Sequence, residues 1–163
     1  MASDQPSLDV KRSYIHASAV VIAEAGVLIF GPSGAGKSSL ALALLGAAEH
    51  AGLFARLVGD DRIGIECRGG RLIARGHPSI IGKIERRGQG IFEIPYLVAA
   101  VIRLVVELPG DKAAPPRRHP DEAKAHLDLA GVKLPFLQLR QDAAVCDLAA
   151  TVLADPRLRE CGC

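Results

Sequence analysis

Cysteine is scarce in this 163-residue chain: there are four, unevenly spaced at Cys67, Cys146, Cys161 and Cys163. That pattern argues against the disulfide framework that staples small secreted folds and suits reduced thiols. Cys161 and Cys163 form a C-x-C at the chain's end, but no second ligand pair accompanies them, so no metal site is assigned there. Nothing resembles a signal peptide, because Met1 to Lys11 is polar and carries Asp4 and Asp9. Nor does any apolar run stay free of charge for the ~18 residues that a membrane span needs. Net charge is low as well, at +2, too little to argue for nucleic acid or an anionic membrane. Repeats and low-complexity tracts are missing. What remains is 49% hydrophobic and 23% charged, ordinary usage for a folded cytoplasmic protein with one core. The expected organisation is a single domain over residues 13–155 with flexible ends at 1–12 and 156–163.

Hydrophobic patterning predicts an α/β fold. Val20 to Ile22 and Val27 to Phe30 read as two strands around a tight turn, and Lys37 to about His50 as a helix stopping at Gly52. A strand from Phe54 to Val58 ends at Gly59-Asp60-Asp61, and Ile63 to Glu66 pairs with Arg71 to Ala74 across Gly69-Gly70. Ser79 to Arg87 reads as a short helical or irregular piece, followed by apolar Ile91 to Ile94. Val101 to Glu107, rich in Val and Leu, reads as a central strand buried on both faces. Gly110 to Pro120 is a proline-rich loop. Two strands, His126 to Ala130 and Val132 to Leu139, turn at Gly131, and Asp142 to Leu153 forms a last helix with Asp142 near its N-cap.

Between the second strand and the first helix stands Gly31-Pro32-Ser33-Gly34-Ala35-Gly36-Lys37-Ser38, which satisfies G-x-x-x-x-G-K-[ST]. Glycines let the backbone wrap phosphate oxygens with N–H groups aimed inward, and the following helix adds its positive dipole end. Lys37 would reach the outer phosphates, and the Ser38 hydroxyl would join the coordination of a Mg²⁺. The adjoining Ser39 is counted with the loop. This pattern calls for ATP but does not say what accepts the phosphate.

Asp60 and Asp61 end a strand some two dozen residues on, so a parallel sheet would bring them to the same edge as the loop. One carboxylate could serve the metal and the other act as a base toward an attacking hydroxyl. The bland alternative makes Asp60-Asp61-Arg62 a solvated turn. His16, ahead of the first strand, reads on its own as readily structural as catalytic.

Together these residues resemble the bacterial HPr kinase/phosphorylase family, in the compact form seen in alphaproteobacteria that consists of the C-terminal catalytic domain. His16 stands ahead of the loop, Leu57-Val58-Gly59-Asp60-Asp61-Arg62 is similar to the family's strand-end Asp-Asp-Arg, and Glu85-Arg86-Arg87-Gly88-Gln89-Gly90-Ile91 is similar to its signature. The resemblance implies a P-loop kinase domain like the nucleotide-binding fold of phosphoenolpyruvate carboxykinase, with a mixed central sheet and flanking helices. It implies Asp61 as proton acceptor, with Asp60 beside it and His16 in support. Ser38, Glu85 and Asp60 would surround Mg²⁺, and Arg118 would assist catalysis. The acceptor would be a serine of an HPr-type phosphocarrier, and the assembly a homohexamer. The last third departs from the family: Leu137 to Ala144 lacks the glycine and asparagine of the signature linked to phosphorolysis. Kinase activity is therefore expected ahead of phosphorylase activity. A P-loop kinase acting on a small metabolite and an ATP-sensing regulatory protein without transfer remain the alternatives.

Overall fold

The computed structural model describes residues 13–110, 125–140 and 142–159. Its centre is a mixed sheet built around nine-residue β9 (Ala99–Glu107). On one edge β9 runs parallel to β3 (Ala25–Phe30), and β3 pairs antiparallel with β2 (Ala17–Ile22), which pairs antiparallel with β4 (Ala55–Gly59). The other edge is shared. Antiparallel β6 (Arg71–Gly76) takes Ala99 to Val101, and parallel β11 (Val132–Gln138) takes Val105 to Glu107. β5 (Ile63–Arg68) extends the sheet from β6 to β1 (Ser13–Ile15), and β10 (His126–Leu129) pairs with β11.

Strand direction decides where the loops gather. β3, β9 and β11 run parallel, and β4, two antiparallel steps from β3, runs the same way, so the C-terminal ends of all four reach one edge of the sheet. The expectation placed Asp60 and Asp61 on that edge through a parallel sheet. The edge is right, but β2 is threaded antiparallel between the two strands.

Helix α1 (Lys37–His50) buries Leu40, Ala41, Leu44, Leu45 and Ala48, a single stripe at helical spacing. It stops in a Schellman motif: Leu53 N–H reaches Ala48 O, Gly52 N–H reaches Glu49 O, and Gly52 supplies the positive φ of 73°. Helix α2 (Val145–Ala154) packs beside α1. It starts three residues later than expected and is capped by the Ala144 backbone, because the Asp142 carboxylate is taken by Arg140 at 3.0 and 3.1 Å.

Both helices cover the same face, joining Val20, Ile29, Leu104 and Val106 in one core. Among the described residues no helix covers the opposite face. There Ala19, Leu28, Val58 and Val105 pack against Ile63, Leu72 and Leu134 of β5, β6 and β11, so the sheet curls over and covers itself. β9 thus has apolar residues on both faces, as its composition predicts.

The reading of Ser79 to Arg87 as helical or irregular holds only at its start, where Pro78–Ile80 makes a 3₁₀ turn. β7 (Lys83–Arg86) then pairs with β8 (Gly90–Glu93) as a hairpin turning through Gly88 at φ 75° and Gly90 at φ 102°. Ile84 anchors it in the helix-side core while Glu85 beside it points elsewhere, the period-2 alternation of a strand. Within the stretch expected as a tail from residue 156, Pro156–Leu158 is a further 3₁₀ turn with Leu158 buried. Residues 1–12 and 160–163, with Cys161 and Cys163, lie outside the described residues. Among those described, no helix is long and apolar enough to cross a membrane.

Candidate functional site

The glycine loop leaves β3 and enters α1 at Gly36, whose φ of 94° no larger residue adopts cheaply. Gly34 at φ 82° turns the chain inside it, and Ala35 N–H closes the turn on Pro32 O at 3.1 Å. Because the N-cap is glycine, no side chain caps the helix and no acidic residue sits in its first turn. The first N–H groups of α1 therefore keep their donors for an external acceptor, at the positive end of the helix dipole.

Lys37 lies folded across the loop, its Nζ donating to the carbonyls of Gly31 and Pro32 at 2.9 and 3.0 Å. Only 7% of the residue is exposed, and this burial pushes the ammonium below its ordinary pKa, while Asp60 and Asp61 pull it back up in part.

The two aspartates part company. Asp60 is buried and accepts from Ser18 Oγ at 2.5 Å and from Ser38 Oγ at 3.0 and 2.8 Å. Asp61 follows at φ 65°, a left-handed backbone that swings its side chain outward, where 62% of it is exposed and Oδ1 lies 2.6 Å from His16 Nε2. An ionised carboxylate can only accept, so the imidazole nitrogen donates. Consecutive residues thus present one locked carboxylate to the loop and one half-free carboxylate to solvent. Arg62, exposed like Asp61, leans over the Tyr14 ring.

A gap between two glycines makes room for this strand end. A Cβ on Gly76 would sit 2.4 Å from Val58 O, and one on Gly59 would sit 2.8 Å from the Gly76 Cα. Close backbone passage of β6 over β4 thereby aims Asp60 and Asp61.

His16, Lys37, Ser38, Asp60, Asp61 and Glu85 share a cleft of about 380 Å³ with Ser33, Gly34, Gly36 and Ser39. Glu85 comes from the β7–β8 hairpin, far from the loop in sequence. On the other side of the loop opens a second cleft, about 510 Å³, between Pro32, Leu40, Leu108, Pro109, Arg140 and Leu148. Arg118 lies outside the described residues.

Two residues escaped the sequence reading. Arg87 lines the same cleft, its guanidinium 3.8 Å from where a Cβ on Gly34 would stand. Its signal was a basic residue just before Gly88-Gln89-Gly90. Ser18 is the only hydroxyl in a strand that is otherwise Ala, Val and Ile, and that lone polar residue was the clue.

The family described as HPr Serine kinase C-terminal domain matches residues 9–154. An HPr kinase/phosphorylase of Mycoplasma mycoides is 46% identical over 100 residues, which are 57% of this chain and 30% of that protein. Another, of Treponema pallidum, is 42% identical over 85 residues, 51% of this chain and 25% of that protein. The chain therefore spans less than a third of the length of these curated relatives. Among solved structures, the Hpr(Ser) kinase/phosphatase of Coxiella burnetii superposes with a TM-score of 0.68 at 25% identity, covering 91% of this chain and 98% of that one.

Proposed function

We infer the function from kinship and geometry together: this chain belongs to the HPr serine kinase C-terminal domain family, and we propose that it transfers the γ-phosphoryl group of ATP to a serine of an HPr-type phosphocarrier protein. The observation that carries the proposal is the divergence of Asp60 and Asp61 beside Lys37 and Ser38 in one cleft.

In this reading the loop N–H groups and Lys37 bind the phosphates, with Lys37 Nζ leaving its two carbonyls for phosphate oxygens. The nucleoside occupies the 510 Å³ cleft on the loop's far side, where Leu108, Pro109 and Leu148 offer apolar surface. The serine Oγ attacks the γ-phosphorus in line, the bond to the β–γ bridging oxygen breaks, and ADP leaves. The serine proton passes to Asp61, which lines the open cleft and whose Oδ1 is held by His16. Arg87, above Gly34, adds a second cation where charge develops.

The residues present fit a Mg²⁺. Ser38, Asp60 and Glu85 line one cleft and offer hard oxygen donors there. Mg²⁺ takes oxygen ligands, one or two carboxylates together with substrate phosphates and water. Ser38, Asp60 and Glu85 would hold it, and when bound it offsets phosphate charge. The remaining elements of the proposal are a phosphoenolpyruvate-carboxykinase-like fold, a homo-oligomer of hexamer type, and action in the cytoplasm. Phosphorolysis is left out of it, because Leu137 to Ala144 lacks the glycine and asparagine linked to that direction.

The test is incubation with γ-labelled ATP, Mg²⁺ and purified HPr-type carriers. Label on a carrier serine at catalytic enzyme levels is expected. ATP hydrolysis or binding without carrier labelling overturns the proposed acceptor.

A further inference from the structure

Every residue of β2 is buried, and Ser18 is 0% exposed. A hydroxyl in such a strand must find a partner, and this one donates to a side chain 42 positions away, Asp60 Oδ1. Sheet register dictates the meeting. Ala19 stands opposite Gly59, so one further step of the antiparallel ladder sets Ser18 opposite Asp60. A register shift just beyond, between Ala19 and Val20, marks a bulge at the end of β4, the kind of irregularity that re-aims a strand end. Asp60 in turn accepts the hydroxyl of Ser38, in the first turn of α1, on both of its oxygens.

Proton counting gives this chain a direction. Ser18 and Ser38 each have one hydroxyl proton, and both are given to Asp60. With its proton pinned there, Ser38 turns its two lone pairs away from Asp60, where a cation can use them. Ser38 is oriented by Asp60, and Asp60 is oriented by Ser18. We propose that Ser18 is a positioning residue for the divalent-cation end of the phosphate site, acting through Asp60 on Ser38 without touching the ion. Without Ser18, Asp60 loses its donor from the sheet side and its carboxylate can rotate away from Ser38. The inference rests on the nucleotide–cation reading of the loop given above.

The experiment measures nucleotide affinity by calorimetric titration with a non-hydrolysable ATP analogue, with Mg²⁺ and with EDTA, on wild type, Ser18→Ala and Ser18→Thr. Melting curves confirm that each is folded. Wild type should bind more tightly with Mg²⁺. Ser18→Ala should lose about tenfold or more of that Mg²⁺-dependent gain, the usual range for a residue that orients a metal ligand, and keep its affinity in EDTA. Ser18→Thr, which retains the hydroxyl, should restore the gain. A purely structural role would lower the melting temperature and leave the Mg²⁺ dependence intact. If wild type gains affinity from Mg²⁺ and Ser18→Ala gains as much, the assignment of Ser18 is wrong while the site reading stands. If wild type gains nothing from Mg²⁺, the nucleotide–cation reading itself falls, and this inference with it.

Discussion

Asp61→Asn separates chemistry from architecture at this site. Asp61 sits at φ 65°, a region that asparagine enters almost as readily as aspartate. The substitution therefore keeps the backbone turn and a hydrogen-bonding oxygen for His16, and removes only the ability to take a proton. General-base contributions run at about 10²- to 10⁴-fold, so kcat for carrier phosphorylation should fall by that factor, roughly 3–5 kcal/mol of barrier. ATP affinity should stay within about twofold, because no phosphate contact is lost. Asp61→Ala should show the same kinetic loss plus a structural one. Alanine in the left-handed region costs about 1–2 kcal/mol, enough to lower the melting temperature by roughly 2–8 °C in a chain of this length. The assay is steady-state transfer from labelled ATP, with nucleotide binding and melting curves on the same samples. An Asp61→Asn enzyme within tenfold of wild type, or one whose ATP affinity drops in step with kcat, would refute the assignment of Asp61 as base.

Lys37→Ala should weaken ATP binding by roughly 10- to 100-fold, the range for a hydrogen bond to a charged group. Bound phosphates favour the ammonium over the amine, so wild-type affinity should be full at low pH and fall as pH rises through the lowered Lys37 pKa, below the ordinary lysine value of 10.5. Titrations between pH 7 and 10 should show that slope and its flattening in Lys37→Ala. Gly76→Ala forces a Cβ to within 2.4 Å of Val58 O and should cost about 1–3 kcal/mol in urea unfolding while slowing transfer, because the strand end bearing Asp60 must shift. Gly46→Ala, in the interior of α1 with open space around its Cβ, should stabilise by about 0.5–1 kcal/mol in the same assay. Burial alone would raise the Asp155 pKa, but hydrogen bonds from the Arg157 guanidinium and backbone outweigh it and hold the carboxyl below its ordinary value. The stability from this pair is therefore present above about pH 4 and lost as pH falls through the lower folded value. Asp155→Asn should narrow the difference in urea midpoint between pH 7 and pH 3.

Local chemistry was open to a reader of the sequence. Gly31 to Ser38 declares itself because backbone wrapping needs glycine at fixed spacing, the Leu and Ala stripe of α1 has a period, and Gly69-Gly70 and Gly131 turn their hairpins by residue type alone. Even the pairing of Asp60 and Asp61 with the loop could be argued from strand-end logic. What the sequence could not disclose depends on partners distant in the chain. β7 reads as irregular until its hairpin partner and the core pocket for Ile84 are known, since a four-residue strand with one buried side chain has almost no period. The Asp142 cap was lost to Arg140, a competition that propensity does not see. Ser18 looks like an incidental hydroxyl until the β2–β4 register sets it against Asp60, and neighbouring aspartates look equivalent until one backbone angle turns the second outward. The sequence by itself determined that phosphates could be bound and between which elements. Only the tertiary structure decided which carboxylate faces the loop and which faces solvent, because burial and hydrogen-bond partners belong to the packed sheet and not to the residue.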